Sequence, residues 1–495
     1  MVTKKDMFIA TLSNYGFLIL KVALSLILVR FMFLELGADD YGFWALLWSI
    51  FGYSVLLEFG LGVTIQKKSA EILKQKDYSK FSALISTYIV AYLIISLVLI
   101  FVTIILSYNL ESLFKFSKGS VVLDYQWALL IFGVGTALSF SLGFLSEVMK
   151  GLHKINNRNL IDGFFVLLNF VALYFCVKTH QPIYIFALVA VLVSSLNNIT
   201  YLLYISKLIP KLHLSMSVVD LAEVKKSMKF SLSAYIIMLS NLIIFRTDQI
   251  ILSSILGIAF AGYYQIASRM SELFRQLATP FHESLSTKAV LVTDPIESGK
   301  LLQNSNKIVG IIATILFFPL FFLIDDFLFL WLDITNKETL LSAKILIVSM
   351  FVLIVFRSSM VYVLLMNNKH TELMRVAVAE ALLNIILSII LVNQFGIVGA
   401  AMGTLIPNVF FALFYNIPKT LTYTNQSFSH YLFDFIIPLM IATCFGLLLA
   451  SAVNFLCISS FGCGVIVSIL ISSFFGGGVF LYFSHLLLIK FNIAN

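Results

Sequence analysis

The chain has 495 residues, of which 60% are hydrophobic and only 12% charged, and its mean hydropathy is +0.99. A soluble globular protein is about half apolar and a quarter charged, and a disordered chain combines low hydrophobicity with high net charge, so both classes are excluded. The net charge of +8 is no nucleic-acid signature, because membrane proteins gather Lys and Arg on the cytoplasmic side.

A spanning helix takes about 20 apolar residues. Fourteen spans are predicted, at 13–34, 42–66, 81–107, 125–149, 160–177, 183–206, 230–256, 258–280, 305–324, 340–366, 374–393, 397–417, 431–453 and 463–489. Lys4 and Lys5 precede an apolar run as in a signal peptide, but no A-x-A site follows, so this run reads as an uncleaved first span. An even number of spans puts both termini on one side. With the N-terminus inside, 22 of the 33 Lys and Arg fall in inside segments or on the first residues of the spans that leave them. Only four, Lys115, Lys118, Lys178 and Lys337, fall outside, and seven lie deeper within spans. That asymmetry fits cytoplasmic N- and C-termini and is independent of the apolar runs that define the spans.

The longest inside connections, 207–229 and 281–304, are too short to bury a core of their own. The first includes an amphipathic stretch from Val219 to Phe230 that leads into the seventh span. Cys176, Cys444, Cys457 and Cys463 lie in or beside apolar segments, form no CxxC, and read as small buried hydrophobes. No metal site is expected.

Two hairpins echo one another. Leu36-Gly37-Ala38-Asp39-Asp40-Tyr41-Gly42 joins spans one and two, and Leu256-Gly257 to Gly262-Tyr263-Tyr264 joins spans seven and eight. Each has glycine where the backbone turns and an aromatic where it re-enters the interface. A repeat six spans apart preserves topology, so the halves read as parallel repeats about an axis along the membrane normal. The expected organisation is an N-lobe over 1–206, a cytoplasmic linker over 207–229, a C-lobe over 230–417 and two further helices over 418–495.

Three segments carry a family resemblance. LELGADDYGFWALLWSIFGYSVLLEFGLGVTIQKKSAE (34–71) has an LG–x–x–x–YG turn and the ending Glu58-Phe59-Gly60-Leu61-Gly62. RTDQIILSSILGIAFAGYYQIASR (246–269) carries Asp248 and the Gly262-Tyr263 turn, and QFGIVGAAMGT (394–404) has an FG–x–x–GAA hairpin. Together they resemble the polysaccharide transporter family of the MOP flippase superfamily, which includes the Wzx-type O-antigen flippases. The hairpin Lys178-Thr179-His180-Gln181-Pro182 departs from the pattern in lacking glycine.

The resemblance implies an all-α polytopic protein of about fourteen transmembrane helices, with two six-helix lobes around a central cavity plus two C-terminal helices, as in MATE-like folds. It implies a non-enzymatic flippase in the bacterial inner membrane. The cargo would be an undecaprenyl-pyrophosphate-linked oligosaccharide repeat unit of O-antigen, capsule or exopolysaccharide. No cofactor is implied beyond a coupling H+ or Na+. Implied partners are the bilayer, a polysaccharide polymerase and a chain-length regulator, with no nucleic acid. A multidrug/cation antiporter or a lipid II flippase of the same superfamily is the alternative, and a membrane polysaccharide polymerase stands behind them. The outside loops are too short for a catalytic domain, and the one acidic loop, 325–339, reads as a solvated face. Neither GxxxxGK[ST] nor HExxH occurs.

Ionisable residues inside a membrane are costly and mark function by default. Glu147, Asp162, Arg275, Asp434 and Lys344 lie near span ends, where long side chains snorkel. Arg269 and Glu272, three apart, read as a salt bridge along one face. Arg246 and Asp248, two apart, point to nearly opposite sides and do not pair simply with each other. Arg offers a fixed fork of donors to a pyrophosphate. Arg246 and Arg357 are therefore the first candidates for headgroup contact, with Lys21 and Arg30 behind them. Glu58, Asp248 and Glu380 are the candidate coupling carboxylates. Arg357, with Ser358 and Ser359 beside it, reads either as cavity wall or as a buried helix–helix hydrogen bond. Pro319 and Pro407 are candidate kinks.

Overall fold

The computed structural model describes residues 4–54, 61–75, 77–117, 121–209, 212–222, 232–289, 295–358 and 370–437, with isolated positions beyond them. Regular structure among these residues is helical throughout, and no strand occurs. Eight of the helices are long and apolar enough to cross a membrane. Where their residues are described, the first twelve predicted spans and the start of the thirteenth fall on helices. Glu58, Lys118, the fourteenth span and Cys444, Cys457 and Cys463 lie outside the described residues.

The chain forms two compact units, Met1–Leu239 with Ser253–Gly262, and Ser240–Leu252 with Tyr263–Asn495. The first contains α1 (Lys4–Gly52), α2 (Leu61–Gln75), α3 (Tyr78–Tyr108), α4 (Val122–Gly143), α5 (Ile155–Lys178) and α6 (Ile183–Leu208). Lateral contacts of α3 and α6 with α4, and of α1 with α5, hold it together. Its core is aromatic, with Tyr88 and Tyr92 of α3 against Phe140 and Phe144. The α1 helix doubles back at Gly37, whose φ of 83° is open to glycine and strained for other residues. The ring contact between Phe33 and Tyr41 at 5.7 Å spans this turn. At the glycine-free turn before α6, His180 takes the left-handed conformation at φ 48°, which His tolerates better than bulkier residues.

The two echoed hairpins touch. A Cβ on Gly42 would lie 2.0 Å from the carbonyl oxygen of Ile258, and one on Gly262 would lie 2.8 Å from that of Ala38. Glycine is required at both places because backbone meets backbone. Lys115 fastens the same tip: its N–H donates to the Ser253 carbonyl (3.1 Å), its own carbonyl accepts from Ile258 N–H (3.1 Å), and its ammonium donates to the Ile255 carbonyl.

The second unit takes α7 (Leu232–Ile255) from Ser240 to Leu252 and α8 (Ile258–Ala289) from Tyr263 onward, then α9 (Pro295–Leu332), α10 (Lys337–Val352) and α11 (His370–Phe411). After them come α12 (Ile417–Tyr423) and α13 (Phe428–Tyr431). The α11 helix reverses at Gly396 (φ 60°) into two arms. Among the described residues three π-helical turns interrupt this unit, at Leu353–Ser358, Ala412–Asn416 and Leu432–Ile436. The α9 helix runs unbroken through Pro319 and carries Asp325 and Asp326 on its last turns, which corrects the expectation of an acidic loop starting at 325. Asp325 is not simply solvated, because Lys344 of α10 reaches it at 2.6 Å.

Candidate functional site

The two arms of α11 come together through glycine. A Cβ on Gly403 would meet the Ser388 hydroxyl at 2.3 Å and the Ser388 Cα at 2.8 Å. With Gly399 four residues earlier, this is a small-xxx-small face of the kind that lets helices in lipid approach closely. Pro407 supplies the next piece. It has no N–H to offer the carbonyl of Gly403 four residues before it. That carbonyl instead accepts from the Asn384 amide at 3.0 Å. The helix break expected from a proline is thereby turned into an inter-arm hydrogen bond.

This close approach sets Ser388 and Thr404 side by side, and both donate to Asp248. Ser388 Oγ lies 2.8 Å from Oδ1 and Thr404 Oγ1 lies 2.7 Å from Oδ2. Tyr264 of α8 donates a third bond to Oδ2. Asp248 itself is 2% exposed, in the middle of α7. Asn384 Nδ2 also reaches Thr404 Oγ1 at 3.3 Å. A carboxylate taken out of water is thus met by neutral hydroxyls, which stabilise its charge without cancelling it.

A second buried carboxylate is Glu380, two turns before Ser388 on the same face of α11. It is 1% exposed and meets the guanidinium of Arg357, whose side chain is 11% exposed. Nη1 donates to Oε1 and Nη2 abuts Oε2, which has no hydrogen-bond donor of its own among the described residues. Arg357 sits in the first π-helical turn, where Ser358 Oγ bonds back to the Leu353 carbonyl at 3.0 Å. The wider turn re-aims the side chains that follow, and such turns recur at functional sites. Arg357, Glu380, Asn241, Ser349, Thr404 and Asn408 line a small cavity with room for about one water. Asn408 is anchored by donating to the carbonyl and hydroxyl of Ser349, at 2.6 and 3.2 Å.

The remaining sequence-derived candidates are placed elsewhere. Lys21 and Arg30 are exposed on the first arm of α1, and Arg246 is half-buried on α7. Arg269 and Glu272 form the expected pair along α8 at 3.3 Å. Asp162 meets Arg158 (3.4 Å), Asn197 (3.0 Å) and Tyr201 in the first unit. Glu147 pairs with Lys150 at 2.6 Å.

Sequence reasoning missed Tyr264, Asn384, Ser388, Thr404 and Asn408. A signal was available. Glu380, Asn384 and Ser388 repeat every four residues in an apolar helix, as do Thr404 and Asn408, so each set marks one polar stripe. Among the described residues no group of three or more His, Cys, Asp or Glu is arranged to hold a metal ion.

Residues 3–285 match the protein family described as "Polysaccharide biosynthesis protein". No curated protein matches the chain in sequence. Among solved structures the chain is similar to the lipid II flippase MurJ in an inward closed conformation. The identity is 18%, the alignment covers 98% of this chain and 99% of that one, and the TM-score is 0.72. It is also similar to a multidrug resistance MATE family transporter of the MOP superfamily in an inward-facing conformation, at 15% identity, 81% and 95% coverage and a TM-score of 0.66. An outward-facing conformation of a multidrug resistance MATE family transporter of the MOP superfamily matches at 14% identity, 84% and 96% coverage and a TM-score of 0.56. These likenesses show that the chain has the MOP-type fold.

Proposed function

The chain belongs to the polysaccharide biosynthesis protein family, and from that premise we propose that it is a flippase for a polyprenyl-pyrophosphate-linked oligosaccharide. It carries the repeat unit from the cytoplasmic to the outer leaflet by alternating access, with a proton or sodium gradient as the drive. In this reading it resides in a bacterial cytoplasmic membrane with both termini inside, acts as a transporter rather than an enzyme, and passes its cargo to a polymerase.

The observation that carries the reading is Arg357, a permanent cation with a two-pronged donor fork, kept inside a helical bundle beside a small cavity that polar side chains share with apolar ones. A sugar–pyrophosphate headgroup cannot cross hydrocarbon unaided, because each unpaired hydroxyl costs several kcal/mol there. A transporter for it needs anion donors and neutral hydrogen-bonding groups in its interior. Arg357 supports the first need, and Asn241, Ser349 and Asn408 support the second. Asp248, deeply buried and accepting from the hydroxyls of Tyr264, Ser388 and Thr404, is the group we assign to the coupling ion. A cation antiporter, the rival reading from the same fold, has less use for a buried arginine.

Deletion of the chain from its host should abolish surface polysaccharide and leave lipid-linked repeat units on the inner leaflet. Asp248→Asn, expressed at normal abundance, should fail to restore the surface polymer. Undiminished surface polysaccharide in the deletion strain would refute the reading.

A further inference from the structure

The Arg357–Glu380 pair poses a problem for any role of Arg357 as an anion receptor, because the anion position is already taken. Glu380 sits on α11 and Arg357 on the π-helical turn after α10, and the guanidinium faces both carboxylate oxygens. Nothing else among the described residues donates to Oε2. The adjoining cavity admits about one water, far less than a phosphate. From this geometry we infer that Glu380 is a built-in competitor, a carboxylate that occupies the phosphate position on Arg357 and must be displaced when an anionic headgroup binds. The inference rests on the flippase reading for the identity of the cargo and deepens it by stating how its site is regulated.

The physics follows from the two partners. A carboxylate and a phosphate present the same paired oxygens to a guanidinium, so one can replace the other without rebuilding the donor geometry. When the headgroup takes Arg357, Glu380 remains in a site that is 1% exposed and loses its counter-charge. The cost of that stranded carboxylate is subtracted from headgroup affinity. The site is therefore weaker than a bare arginine would make it, and release is correspondingly easier. A transporter gains from this arrangement, since cargo held too tightly on one side is never delivered on the other. The π-helical turn gives Arg357 its freedom, because a turn with i→i+5 bonding can revert to a regular α-turn and re-aim the side chain.

The test uses the full chain in lipid nanodiscs, with inorganic pyrophosphate as the probe and calorimetry as the readout. Glu380→Gln removes the competitor's charge and should tighten pyrophosphate binding at least about tenfold over the unmodified chain. Glu380→Asp, which retracts the carboxylate by one methylene, should fall between the two. It also carries the comparison if the Gln variant is not monodisperse. The double variant Arg357→Gln/Glu380→Gln replaces the ion pair with a neutral one and should lose the gain. Equal affinity across Glu, Asp and Gln would overturn the proposal, as would a gain that survives in the double variant. The flippase reading is judged separately, by transport of a lipid-linked oligosaccharide in proteoliposomes by the unmodified chain. Transport with no affinity gain sinks the competitor alone, and an affinity gain without transport sinks the flippase reading alone.

Discussion

Asp162 of the first unit and Asp248 of the second are both carboxylates in apolar helices, and they are satisfied in opposite ways. Asp162 lies in the second turn of α5 with Arg158 one turn before it, so its charge is balanced by a cation. Asp248 lies mid-helix, and the partners recorded for it are the hydroxyls of Tyr264, Ser388 and Thr404. The backbone follows the same division. The three π-helical turns of the described residues fall in the second unit, and the described helices of the first unit have none. One unit uses regular helices, with its ion pairs toward the helix ends. The other keeps charge and irregular backbone in its interior, at the positions assigned above to cargo and coupling ion.

The sharpest way to break this comparison is to remove one cation from each unit. Arg357→Ala strands Glu380 in the interior and should destabilise the second unit by about 3–5 kcal/mol, read as lost abundance and a lowered thermal midpoint. Lys178→Ala removes the cation of the exposed Lys178–Glu35 pair, which lies at 2.7 Å in the first unit, and should leave both readouts near the parent value.

A smaller effect is expected from glycine. Gly403→Val forces the arms of α11 apart at Ser388 and should cost roughly 1–3 kcal/mol, with loss of transport because Ser388 and Thr404 leave Asp248. Gly163→Ala in the first unit places its Cβ 3.6 Å from Leu20, an ordinary contact, and should be tolerated in both thermal midpoint and transport.

Conservative carboxylate changes should affect stability less and function unequally. Asp248→Asn keeps acceptors for the hydroxyls but deletes the charge, so transport should fall while abundance holds. Asp162→Asn should leave transport largely intact. Equal loss in both variants would erase the proposed distinction between the units.

The smallest effect concerns Asp77, which caps α3 by accepting from Lys80 N–H at 3.0 Å. That bond and the Lys80 ammonium hold its carboxyl below the usual carboxylate range. A depressed folded-state pKa means stability that is present above the unfolded value and lost as pH falls through the folded one. Asp77→Ala should therefore produce a slight drop in thermal midpoint at neutral pH that vanishes in acid.

The helical spans were legible because twenty-residue apolar runs admit little else. The turns at Gly37, Gly257 and Gly396 were legible because positive φ selects glycine. The acids stood out because charge in an apolar run needs a reason. The hydroxyls around Asp248 were hidden by their ordinary appearance. Thr103 and Thr200 in the first unit look the same in sequence, yet they donate to carbonyls of their own helix four residues back. Whether a serine bonds its own helix or reaches a carboxylate elsewhere depends on tertiary packing. The Arg357–Glu380 pair was hidden for a related reason, since 23 residues and a π-helical turn separate its members. Asp325 was misjudged because α9 extends past the apolar run that defined its span.

In the proposed role the chain moves a lipid-linked oligosaccharide, and the interior charges of its second unit do the moving. The direct measurement is reconstitution into vesicles containing a polyprenyl-pyrophosphate oligosaccharide, following the sugar's exposure to an impermeant reagent under an imposed proton or sodium gradient. Gradient-dependent translocation by the unmodified chain is expected, with strong impairment by Asp248→Asn and near-parent rates for Asp162→Asn. Vesicles in which the unmodified chain moves the sugar no faster than lipid alone, under either gradient, would contradict it.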